Sequence, residues 1–240
     1  MTEKFVPAYR TGEPLPGWKG AAGPGDAPMT GRYCTLEPAG RPAQADELYE
    51  VFQTGGEAQD WLYLPYGPFP DIETFRAWYQ ATCTGKDPLF VLIRDAASRR
   101  ALGLASFLNI ERGVGRVEVG HIHFSPDLQQ SAAATEAMYL MMKRVFECGF
   151  RRYEWKCDSL NERSRRAAQR FGFSFEGVFR QHYVVKGRNR DTAWYACIDQ
   201  EWPRLREAYE TWLAPDNFDA EGRQKRRLSA LTGPVLVQRG

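Results

Sequence analysis

No apolar run in this sequence approaches the ~20 residues that a membrane-spanning helix needs. The longest, Leu89–Ile93 and Ala137–Met142, are the size of core segments. The opening MTEKFVPAYRTGEP has neither the basic start nor the apolar stretch of a secretory signal. Histidine is scarce, at three residues in 240, and no H-E-x-x-H or similar spacing occurs, so no metal site is expected. The five cysteines, Cys34, Cys83, Cys148, Cys157 and Cys197, are odd in number and contain no C-x-x-C pair. They read as buried free thiols of a reducing cytoplasm, not as a disulfide or zinc framework. Charge of one sign is also lacking: 32 Lys and Arg stand against 30 Asp and Glu, a net +2. That balance excludes a polyanion binder of the histone type.

What remains is a soluble globular composition, 43% apolar and 26% charged, in a chain of 240 residues that can bury a substantial core. Residues 1–31 are the least foldable part. Gly12–Gly31 holds six Gly and four Pro with little periodicity, which predicts a flexible arm or a segment ordered only by lying on the domain. A single domain is expected over 32–213. A polar, basic and loose tail is expected over 214–240, with Arg223-Gln224-Lys225-Arg226-Arg227 as its cationic cluster.

Within the domain, alternation predicts strands at Tyr33–Glu37, Leu89–Arg94, Ala101–Ile110, Arg116–Phe124, Tyr153–Cys157, Phe173–Gly177, Phe179–Val185 and Thr192–Ile198. Helical spacing predicts Arg41–Phe52, Ile72–Ala81, Thr135–Cys148, Glu162–Phe171 and Pro203–Leu213. Thr135–Cys148 is apolar almost all round and should be buried on most of its surface. The order implies an α+β fold, one mixed and mostly antiparallel sheet with helices on both faces.

The most informative segment runs from Val117 to Arg180. The strand ending at Ser125-Pro126 leads into a polar loop of small residues that opens the buried helix. Such a loop presents backbone N–H groups, and the helix dipole adds positive potential, so an anion is favoured there. Glu118 stands mid-strand among apolar residues, where a carboxylate is costly without a task or a partner. It reads equally as a general base or as half of a buried ion pair. His121 and His123 are alternates, or packed core histidines. Strict alternation puts them on the opposite face from Glu118 unless a bulge intervenes. Residues 151–190 hold eleven Lys and Arg against four Asp and Glu, a solvated basic face or a phosphate-binding shell.

Gln129-Gln130-Ser131-Ala132-Ala133-Ala134 resembles motif A of the GNAT (GCN5-related) N-acyltransferase superfamily, whose pattern is Q/R-x-x-G-x-G/A. The Thr135-Glu136-Ala137 that follows is similar to the branch of ribosomal-protein N-terminal acetyltransferases. Asn161-Glu162-Arg163-Ser164 with Phe171-Gly172-Phe173 resembles motif B, and the resemblance extends from Tyr33 to Trp202. Two positions depart from the pattern: Ala132 stands for the first loop glycine, and Ala168 for the common acid tyrosine.

The resemblance implies acetyl-CoA as acyl donor and a primary amine, small-molecule or peptide, as acceptor, with direct attack in a ternary complex. It implies donor contacts from His123, Phe124, Gln129–Thr135, Asn161 and Arg166. It implies acceptor contacts from the aromatic loop that holds Trp61, Tyr63 and Tyr66. Ser164 would serve the departing thiolate, with Asn161 beside it, and Glu118 or His123 the amine proton. Two alternatives stay open: a GNAT-fold transferase using another donor such as aminoacyl-tRNA, and an inactive binding module. A monomer or homodimer is expected.

Overall fold

The computed structural model describes residues 11–240. Its centre is an eight-stranded sheet: β1 (Met29–Thr30), β2 (Cys34–Pro38), β3 (Leu89–Asp95), β4 (Ala101–Glu111), β5 (Arg116–Phe124), β6 (Arg152–Asp158), β7 (Ser174–Val185) and β8 (Arg188–Ile198). The spatial order is β1-β2-β3-β4-β5-β6-β8-β7. Every pairing is antiparallel except β5 with β6. The α+β expectation holds.

Helices α1 (Pro42–Gln53) and α2 (Ile72–Thr82) cover one face. Their core joins Leu48, Phe52, Phe75 and Tyr79 to Phe90, Leu92 and Leu104 of the sheet. Helices α3 (Ala132–Glu147), α4 (Glu162–Arg170) and α5 (Trp202–Leu213) cover the other. There Met138, Met141, Met142 and Val145 pack on Val117, Val119, Tyr153 and Trp155. Helix α3 buries eleven of its sixteen residues, as its all-round apolarity requires.

Three expectations are decided by the structure. The first concerns residues 18–30, which take the second of the two forms expected, a segment ordered by lying on the domain. Ala21 and Met29 are buried, Ala21 and Ala22 donate their N–H groups to Arg112 and Cys148, and β1 adds an edge to the sheet. Residues 1–10 of the expected arm lie outside the described residues. The tail is the second: it docks against the domain. Leu228, Thr232 and Val235 are buried, Phe175 N–H donates to Gln238 O, and Gln169 Nε2 donates to the Gly240 carbonyl oxygen. The third is that Phe173–Gly177 and Phe179–Val185 merge into one strand, β7, because Gly177 takes up a bulge and not a turn. The β7–β8 turn is only Lys186-Gly187, both at positive φ, as a two-residue hairpin demands.

Glu136 ties the first strand pair to α3. Its buried carboxylate accepts the N–H groups of Arg32, Tyr33 and Cys34 at 2.7, 2.6 and 2.8 Å. Position 31 must be glycine because a Cβ there would overlap that carboxyl group. Replacing Glu136 by alanine strands three donors. At about 1 kcal/mol each or more, Tm should fall by roughly 6–12 °C for a domain of this size. Thermal unfolding of Glu136→Ala checks this, with Glu136→Gln losing less because one acceptor oxygen remains.

Candidate active site

The site is built where β5 and β6 part. They pair in parallel from Arg116↔Arg152 to Val119↔Trp155 and no further. Beyond that point β5 stays with β4 as far as Gly103↔Phe124, and β6 stays with β8 as far as Asp158↔Thr192. Gly120–Phe124 and Lys156–Asp158 therefore border an open wedge in the sheet.

A bulge at the mouth of the wedge decides which side chains face where. His121 has φ +51, and the β4–β5 register slips by one residue between Ser106↔Gly120 and Leu104↔His123. His121 and His123 thus turn to the α1–α2 face, the same face as Glu118, and the simple alternation is corrected. The slip also sets the backbone. Ser125 N–H donates to Leu102 O across β4, so His123 turns its backbone groups to β4 as well. Ile122 and Phe124 turn theirs to the wedge. The backbone groups of His123, expected to be unpaired, are thus turned to β4. The Phe124 carbonyl already accepts from Gln129 Nε2 at 3.1 Å.

His123 is stacked on Trp61, with ring centres 3.8 Å apart, and meets Phe52 edge-on at 4.3 Å. His121 accepts or donates at Nδ1 with the Tyr66 hydroxyl, 3.0 Å away. Burial pushes both imidazoles down to about 4, with Asp60 opposing the shift at His123. Both are neutral at neutral pH and weak as bases, and His123 serves as part of an aromatic core. Trp61 is buried in that core too, so it forms the floor of the aromatic loop. Gly67 must be glycine, because its φ is +65 and a Cβ would overlap the Trp61 indole. Tyr63 and Tyr66 are half-buried above it. The Tyr63 hydroxyl donates to the Leu160 carbonyl at 3.2 Å, and Lys186 Nζ donates to the Trp61 carbonyl at 2.8 Å. The aromatic loop is thereby tied to the β6–α4 connection and to the β7–β8 turn.

Glu118 is 7% exposed. Its Oε2 accepts from Lys156 Nζ at 2.7 Å and from Asn109 Nδ2 at 2.8 Å. Its Oε1 has no hydrogen-bond partner among the described residues and lies 3.8 Å from the point a Cβ on Gly120 would occupy. Gly120 is the first residue past the last β5–β6 pair, so this oxygen stands at the apex of the wedge. Burial raises the Glu118 carboxyl above its usual range, against the pull of Lys156 and Asn109. One carboxylate oxygen is held in the ion pair and the other is left without a hydrogen bond among the described residues.

On the other face, Ser131 caps α3. Its Oγ accepts from Ala134 N–H at 3.0 Å. Within the loop, the N–H groups of Gln129, Ser131 and Thr135 are also taken internally, by Ser125 O, Leu128 O and Ser131 O. Those of Gln130, Ala132 and Ala133 have no partner among the described residues. The set of seven expected donors narrows to these three. The residue needing positive φ is Gln130, at +59; Ala132 opens the helix with right-handed geometry, so an alanine there costs the loop nothing.

Asn161 caps α4, its Oδ1 accepting from Ser164 N–H at 3.0 Å. Ser164 Oγ accepts from Trp155 Nε1 at 2.9 Å, not from the backbone of its own turn. That bond leaves the hydroxyl proton unused, and the Cys157 thiol is its neighbour. Burial raises that thiol, with the Ser164 hydrogen bond opposing. Because Lys156 and Cys157 are consecutive in β6, Glu118 and Ser164 lie on opposite faces of the sheet with the wedge between them.

The family model of the acetyltransferase (GNAT) domain matches residues 34–174. A GCN5-related N-acetyltransferase from Brucella melitensis is 42% identical, over 91% of this chain and 100% of that chain, with a TM-score of 0.88. A GNAT-family acetyltransferase from Chromobacterium violaceum is 39% identical, over 83% and 100%, at 0.76. The chain belongs to the GNAT acetyltransferases. A ribosomal L7/L12 α-N-protein acetyltransferase shares the fold at 21% identity, over 72% and 94%, with a TM-score of 0.61. Comparison with the curated proteins returns no match.

As a GNAT acyltransferase the chain uses much of its basic 151–190 segment internally. Arg152 binds Glu154 and Glu176, Arg165 binds Tyr195 and the Ser159 carbonyl, and Arg170 turns inward to Thr135 Oγ1, Phe171 and Trp212. Arg166 is exposed and pairs with Glu162 on its own helix. No group of metal-ligating side chains occurs among the described residues, and no described helix is long and apolar enough to cross a membrane. Sequence reasoning missed Lys156, Asn109, Trp155 and Ile122. The one available signal was Lys156 itself, two residues after Glu154 in a strand that alternates charged with aromatic and apolar residues.

Proposed function

We propose that this GNAT enzyme transfers an acetyl or other small acyl group from acetyl-CoA to a primary amine by direct attack in a ternary complex. The observation that carries the reading is the wedge, with a carboxylate oxygen free of hydrogen bonds at its apex. The residues fit the donor. The N–H groups of Gln130, Ala132 and Ala133, at the positive end of α3, would hold its pyrophosphate. The backbone edges of Ile122 and Phe124 would meet its amide-bearing arm. When bound, the donor supplies an activated thioester.

Glu118 takes the proton of the attacking ammonium through Oε1, directly or by a water. Ser164 gives a hydrogen bond to the departing thiolate from the opposite face. Asn161 positions Ser164 through the cap, and its Nδ2 has no partner among the described residues. The acceptor enters from the α1–α2 face past Tyr63 and Tyr66, over the Trp61 floor. Exposed Leu62 and Leu160 flank that entrance and favour an amine with an apolar part.

Thiol release from acetyl-CoA, measured across a panel of small-molecule and peptide amines, tests the reading. Amine-dependent release is expected; no release with any amine, or none of the thermal stabilisation that acetyl-CoA binding would bring, overturns it. Ser164→Ala should lower kcat at least tenfold with donor Kd little changed. Unchanged kcat would remove Ser164 from the mechanism.

A further inference from the structure

Three carboxylates and three cations are interleaved on the α1–α2 face, across the sheet from β5 over β6 and β8 to β7: Glu118, Glu154 and Glu176 with Arg116, Arg152 and Lys156. Lys156 is central. Its side chain is 10% exposed, and Nζ lies 2.7 Å from Glu118 Oε2 and 2.9 Å from Glu154 Oε2. The ammonium also sits over the Trp194 ring of β8, 4.1 Å from its centre. It is thus held from below by an aromatic face and from the side by two carboxylates.

The two carboxylates depend on it unequally. Glu154 has Arg152 at 2.7 Å and Arg116 at 3.7 Å as well. Glu118 has Lys156 as the one cation within ion-pair distance among the described residues, and Asn109 as its other, neutral, partner. The groups around this pair are Glu154 on β6, Asn109 on β4 and Trp194 on β8, with Arg116 and Arg152 on the far side of Glu154 and His182 of β7 near enough to feel the ammonium. Of these, none replaces the ammonium at Glu118.

We propose that Lys156 is the positioning residue of this acyltransferase, fixing Oε2 of Glu118 so that Oε1 stands at the apex of the wedge and keeping that buried carboxylate ionised. The inference rests on the reading of Glu118 as the base. Burial alone drives a carboxyl toward its neutral form, which cannot accept a proton. An opposite charge at hydrogen-bond distance offsets that drive. Glu154 works the other way, as a like charge competing for the same ammonium.

The pH profile of kcat/KM separates this role from simple packing, since it reports the free enzyme's base. Lys156→Gln keeps donors for both carboxylates and removes only the charge. Its acid limb should move up by about one pH unit or more, and the position of the limb, not the plateau rate, is the readout. Lys156→Arg should restore the limb to the wild-type position. Glu154→Gln should move it down, and that opposite sign decides the matter even if Lys156→Gln does not fold. Profiles of Lys156→Gln and Glu154→Gln that leave the limb in place, while Glu118→Gln leaves only the rise set by the acceptor amine, would make Lys156 merely structural and overturn the proposal. Full activity in Glu118→Gln, measured alongside, would instead remove the base reading and the proposal with it.

Discussion

Replacing Glu118 by glutamine should lower kcat at neutral pH by about a hundredfold or more, with the Kd for acetyl-CoA unchanged, since a positioned base contributes ~10²–10⁴-fold. The argument is local. Oε2 is occupied by Lys156 and Asn109, and Oε1 is the oxygen left to accept a proton at the point where the strands separate. Glutamine keeps the shape and an acceptor for Lys156, so folding should survive; equal Tm values establish that. The amide cannot take up a proton, so the residual rate should climb with pH as the acceptor amine loses its own proton to water. A variant that retains wild-type kcat at pH 7 would show that positioning alone carries the reaction.

Ala132→Asp should raise the KM for acetyl-CoA at least tenfold. Like charges about 5 Å apart at an effective dielectric near 20 repel by about 3 kcal/mol, about a hundredfold in affinity before screening by salt. Ala132 is the first residue of α3, and its N–H is one of the three with no partner among the described residues. The same substitution places an anion at a helix N-terminus, which stabilises the free protein by about 0.3–1 kcal/mol. Donor affinity and Tm are therefore expected to move in opposite senses, which a misfolded variant could not produce. An unchanged donor KM would place the pyrophosphate elsewhere.

Most of the strands and helices were legible because each is written in a local period. Arg116–Phe124 was bounded correctly by alternation, and α3 was recognised from its all-round apolarity. The boundary errors came where a bulge imitated a turn, as at Gly177, or where a cap extended a helix, as Ser131 does for α3. The candidate site was legible as a set of residues but not as an arrangement. Glu118, Ser164 and the loop before α3 are all there, yet the face that His121 and His123 occupy depended on one non-glycine residue at positive φ, which periodicity cannot signal. Nor could composition show that a Gly-rich arm is held by Arg112 and Cys148, or a basic tail by Ser174 and Gln169, since those partners are far away in sequence.

The sequence by itself determined the order of the domain's main elements, the buried helix with the polar loop of small residues that opens it, and the presence of a carboxylate in the middle of an apolar strand. These follow from side-chain period, residue size and the cost of burying charge, all of which act over a few residues. Only the tertiary structure decided where β5 leaves β6, which loop N–H groups remain free, and that Glu118 is answered by Lys156 and not by an arginine. Those outcomes depend on which strands lie side by side and in what register, and pairing between distant segments is set by the packing of the whole sheet between its two layers of helices.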